Sequence, residues 1–132
     1  MSFKNVLIRQ IALVAALLLL PQSLVAADES AFFESRIRPL LVDNCIRCHG
    51  EEKQRAGLRL DSREGWAKGG ESGPAIVPGD PDKSPLIKAI RWNDPECTMP
   101  PDKKMADTQI AALEHWVKSG AHDPGLPPAR TR

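Results

Sequence analysis

Between Asp28 and Asn44 the apolar residues Phe33, Ile37, Leu40 and Leu41 recur at three-and-four spacing among charged neighbours, with acidic residues at the start. That pattern predicts an amphipathic helix. Pro39 lacks a backbone N–H and clashes with the preceding turn, so a kink or break is expected there. A polar, glycine-rich stretch follows residue 50. Within it, Asp61 and Glu64 are spaced as a capping box, which predicts a short helix through Trp66 that ends at Gly69 and Gly70. Ser84 followed by Pro85 suits an N-cap and first helical position, opening a helix over "LIKAIRW" with Leu86, Ile87 and Ile90 turned inward. After the proline-rich loop "NDPECTMPPDKKMAD", Asp107 is a suitable cap for a last helix. There Ile110, Leu113, Trp116 and Val117 share one stripe, and Gly120 ends it. No stretch alternates for long as a strand would, and no internal repeat is present. The expectation is an all-α domain of short helices joined by long loops. Such loops need something to wrap around.

The N-terminus reads differently. Lys4 and Arg9 precede the apolar run "IALVAALLLL", and "PQSLVAA" then offers a helix breaker and small residues. This is the layout of a signal peptide over residues 1–27, cut after Ala26 or Ala27. A retained anchor is the competing reading, but a span needs about 20 apolar residues and Arg9 interrupts the run. Cleavage after Ala27 leaves 105 residues with 16 basic and 17 acidic side chains, a net charge of −1. One domain is expected over residues 28–121, with a flexible proline-rich tail over 122–132 and no span in the mature chain. The charge balance supplies no basic patch for nucleic acid.

Three cysteines in an exported chain cannot all close into internal disulfides. Aromatic residues are scarce, with three Phe, three Trp and no Tyr. A large buried cofactor would supply the missing apolar bulk. The stretch "NCIRCHG" offers Cys45, Cys48 and His49 at positions i, i+3 and i+4, which on a helical turn project from one side. Two thiols can then meet the edges of a haem while the imidazole reaches its iron, the c-type attachment pattern. A zinc-binding interaction module using Cys45, Cys48, His49 and Cys97 is an alternative. Adjacency of Cys48 and His49 counts against it, since consecutive side chains diverge. A Cys-x-x-Cys redox dithiol is a third reading, but it expects a βαβ setting that is missing. Export agrees with haem, because covalent attachment takes place outside the cytoplasm.

With His49 as one axial ligand, the candidates for the other are Met99, Met105, His115, His122 and Cys97. Met99 is favoured because Pro100 and Pro101 stiffen its loop. Met105 reads as an ordinary methionine near the last cap, His115 as an exposed helix residue off the apolar stripe, and His122 as solvated. Cys97 reads as a half-buried thiol outside the ligand set. Arg55 and Arg59 could pair with haem propionates, although solvated surface charge is the simpler reading. Trp66 and Trp92 could pack on the ring or donate an indole N–H to a propionate, with core packing at least as good an account.

The segments "FFESRIRPLLVDNCIRCHG", "GLRLDSREGWAKGGESGPAIVPGDPDKSPLIKAI" and "MPPDKKMADTQIAALEHWVKSGA" resemble the planctomycete-type cytochrome c domain of secreted proteins, over nearly all of residues 31–121. The resemblance implies a small cytochrome c-like fold around one covalent haem c on Cys45 and Cys48. It also implies His49 and Met99 as axial ligands to the iron. Cysteine is unusual in that family at the position of Cys97, so the resemblance assigns that residue no role. The expected function is exported, periplasmic or extracytoplasmic, single-electron transfer between redox partner proteins, by a non-enzymatic monomer or a disulfide dimer through Cys97. A haem sensor or peroxidase-like enzyme, with an open sixth position, is the rival.

Overall fold

In the computed structural model, residues 22–125 are described, and their regular structure is helical, with two isolated β-bridges in place of strands. The all-α expectation holds. Most of the segment read as a leader lies outside the described residues, as do residues 126–132 of the tail.

The first helix is longer and less regular than its spacing suggests. It begins with α1, Gln22–Phe32, widens into a π turn over Phe33–Ile37, and narrows to α2, Arg38–Leu41. It then widens again over Val42–Ile46. Of the kink or break expected at Pro39, no break occurs, and the helix instead changes from π to α just before the proline. In the wide turn the N–H of Arg38 reaches back to the carbonyl of Phe33, and the proline follows as one of the first residues of α2. A π turn just before a proline gives its ring room that a regular α-turn would deny it.

The widening also straightens the buried face. Phe33, Ile37, Leu41 and Cys45 are all buried and stand four residues apart. In a regular α-helix each four-residue step overshoots a full turn by about 40°, so three steps would rotate the stripe by about 120°. Wider turns take up that excess. The stripe therefore stays aligned with the core from Phe33 to the first cysteine.

Helix α3, Arg63–Lys68, starts one residue later than Asp61 suggested: Ser62 is the cap, and its hydroxyl accepts from the N–H of Gly65 at 3.1 Å. Asp61 is instead engaged by Arg59, through guanidinium bonds of 2.9 and 2.7 Å. Helix α4, Pro85–Arg91, begins after Ser84 as expected. The Ser84 hydroxyl does not cap it, however. Fully buried, it accepts from the N–H of Val77 at 2.9 Å and donates to the carbonyl of Asp80 at 2.8 Å, closing the preceding loop.

Helix α5, Asp107–Lys118, buries Ile110, Leu113, Trp116 and Val117. Ala106 occupies the cap position, with its N–H donated to Gln109 Oε1 at 3.1 Å, while Asp107 pairs with Lys104. Trp116 is the centre of the core: its ring lies 5.5 Å from Phe33 and 6.3 Å, edge-on, from Trp66. Arg91 ties α4 to α5 through Glu114 and also reaches Asp82.

The start of the expected tail is docked. The Trp116 indole donates to the carbonyl of His122 at 2.8 Å, His122 Nε2 lies 2.9 Å from Ser30 Oγ, and Arg38 donates to the carbonyl of Gly125. His122 is half-buried rather than solvated. A carbonyl fixed by a core tryptophan is what pulls its residue in.

Candidate functional site

Cys45 stands in the last turn of the long helix, which ends at Ile46, and the chain then turns back on it. The N–H groups of Cys48 and His49 both donate to the carbonyl of Cys45, at 3.1 and 2.9 Å. Gly50 lies against this turn so closely that a Cβ would stand 2.6 Å from the carbonyl oxygen of Ile46. Only glycine fits there. The returning strand of loop is stitched to the motif by Arg55 N–H to Cys48 O at 3.0 Å and Leu60 N–H to His49 O at 2.7 Å.

The imidazole of His49 is buried, and its Nδ1 lies 3.1 Å from the carbonyl oxygen of Arg55. A carbonyl can only accept, so Nδ1 carries the proton, and in the neutral ring Nε2 then keeps its lone pair. Metal-binding histidines are oriented by this kind of bond. The Cys45 thiol is also buried, and desolvation pushes it up to about 11. Such a thiol is a poor redox dithiol partner, since that chemistry needs thiolate.

Cys45 and His49 line an apolar cleft with about 800 Å³ of non-atom space, its open mouth included. Leu58, Leu60 and Ala75 contribute from the loops, and Leu86, Ala89 and Ile90 from α4. Cys97 and Met99 border the same cleft. Thus three of the four expected site residues, Cys45, His49 and Met99, meet at one cavity. Cys48 stands half-buried beside it and does not line it. Three residues beyond Cys45 on a helical turn is about 300°, short of a full circle, whereas His49 at about 400° lies nearer the direction of Cys45.

Among the described residues no three His, Cys, Asp or Glu side chains are grouped to hold a metal ion. The zinc set of Cys45, Cys48, His49 and Cys97 is therefore not assembled, and all three cysteines are free thiols. Of the other distal candidates, Met105 is buried in the core and His115 is exposed, edge-on to Phe32. His122 is engaged with Ser30 as above. Cys97 is exposed, not half-buried as expected.

The aromatic and basic candidates separate as well. Trp66 is buried in the core, does not line the cleft, and has an indole N–H without a partner. The Trp92 indole N–H donates to the carbonyl of Met99 at 3.0 Å. That contact was invisible in the sequence, because it depends on how the loop after α4 folds back. Arg59 is already paired with Asp61.

A largely apolar slot that presents a thiol, an imidazole with a free Nε2 and a thioether fits a flat ring carrying iron, with soft and nitrogen ligands suited to that metal. Residues 45–103, spanning all of these, match the family described as planctomycete cytochrome C. No curated protein and no solved structure matches the chain.

Proposed function

We propose that the protein is an exported single-electron carrier holding one haem c, a reading supported by the match of residues 45–103 to the planctomycete cytochrome C family. Cys45 and Cys48 would hold the haem covalently, and His49 and Met99 would ligate its iron. The observation that carries this reading is the His49 ring: its Nδ1–H is committed to the Arg55 carbonyl, its Nε2 is free, and it shares the cleft with Met99. When bound, the haem supplies an iron that takes up and releases one electron. The chain's own part is to hold the two ligands on either side, to exclude water with Leu60, Leu86 and Ile90, and to leave one edge open for redox partners. A thioether from Met99 favours the ferrous state and raises the potential. With His49 and Met99 both supplying ligands, a bound iron would have no open position, which favours electron transfer over sensing or peroxidase-like turnover.

No helix among the described residues is long and apolar enough to cross a membrane. The leader over residues 1–27 delivers the chain to the compartment where haem is attached.

The test is protein matured in an exporting host. Its mass should show one covalent haem, and its visible spectra should show six-coordinate, low-spin iron in both redox states. The reduced form should bind carbon monoxide only slowly near neutral pH. Fast stoichiometric binding would establish the open-site rival, and a haem-free product would overturn both.

A further inference from the structure

The residue before the "NDPECTMPP" loop, Trp92, adopts a left-handed conformation, φ 60° and ψ 27°, at the C-terminus of α4. Glycine or asparagine caps a helix in that conformation at lower cost, and for a bulky side chain it is an outlier. Strain of this kind persists where the surroundings impose it. Here the surroundings are Met99. The Trp92 indole N–H donates to the Met99 carbonyl at 3.0 Å, and the Met99 N–H donates to the carbonyl of Ala89, within α4, at 3.1 Å. Both peptide groups of Met99 are thus fastened to the end of one helix. That helix also lines the cleft through Leu86, Ala89 and Ile90.

The rest of the loop has little else to hold it. Asn93 to Cys97 are exposed, and Met99 itself is 41% exposed. A methionine on so open a segment would swing away from the cleft unless its backbone were pinned.

We propose that Trp92 is a positioning residue for Met99: its indole N–H holds the Met99 carbonyl so that the thioether stays turned to the cleft and to the iron. The inference rests on the reading of Met99 as distal ligand. It makes the left-handed turn at Trp92 a ligand-holding device as well as the cap of α4.

Trp92→Phe keeps an aromatic ring and removes the N–H. In the oxidised protein the methionine–iron charge-transfer band should weaken or melt at lower temperature than in the unsubstituted protein. In the reduced protein carbon monoxide association should quicken by about fivefold, the equilibrium worth of one net hydrogen bond. The mass should still show covalent haem. A second measurement needs no substitution: in nitrogen-labelled protein the Trp92 indole proton should exchange slowly with solvent. An unchanged band and unchanged carbon monoxide kinetics in W92F would overturn the inference while leaving the distal-ligand reading intact. If W92F fails to mature, indole exchange at the free rate overturns it and slow exchange supports it. Absence of the band from the unsubstituted protein would remove the reading of Met99 and this inference with it.

Discussion

Cys97 and Met99 are two residues apart on the rim of one cleft, both with sulfur, both exposed. What separates them is backbone. Met99 is bonded at both peptide groups to α4 and to Trp92, whereas the N–H of Cys97 turns back to Asp94 within the same loop. A thiol on that local turn has nothing to hold it across the ring. Cys97→Ala should therefore leave the visible spectrum of the matured protein unchanged in both redox states, and an altered axial-ligand spectrum would make Cys97 a ligand. The candidate attachment residues Cys45, Cys48 and His49 were legible as residue types at a spacing. The bond that fixes the His49 tautomer was not, because its acceptor is the backbone of Arg55, six positions on, and any side chain there would serve.

Elements were legible where the apolar spacing and the end signals agreed. Helix α5 puts its four stripe residues inside, and α4 starts after Ser84 because proline is preorganised for the first turn. End chemistry was read less well: Asp61 and Ser62 are both acceptable caps, and only the partner offered by Arg59 decides between them. Ser84 shows how a cap residue can be diverted to a larger task. Its hydroxyl satisfies Val77 and Asp80 in a site with no solvent exposure. Ser84→Ala should strand the Val77 N–H and cost about 1–3 kcal/mol, seen as a lower denaturant midpoint with an unchanged slope. Loss of less than about 0.5 kcal/mol would mean that water replaces the hydroxyl.

For the whole molecule, the carboxylates held in local ion pairs set part of its response to acid. The guanidinium of Arg38 holds Glu34 below the usual carboxylate range, that of Arg59 does the same to Asp61, and Lys83 to Asp80. Folded values below unfolded ones mean stability that is present above the unfolded values, near pH 4, and is lost as pH falls through the folded ones. Denaturant midpoints should be level above about pH 5 and decline below about pH 4. Asp61→Asn should flatten part of that decline, and an unaltered acid slope would mean that the Arg59 pair is as weak as most exposed pairs. The long first helix acts at this scale too, because it joins the core at Phe33 to the cleft at Cys45. Its two wide turns make it a ruler graduated in fours. A chain that lost one residue between 33 and 37 would keep every letter of the attachment motif and still aim its first sulfur about 100° away. The motif's true length is therefore greater than its five letters, and it begins where the core begins.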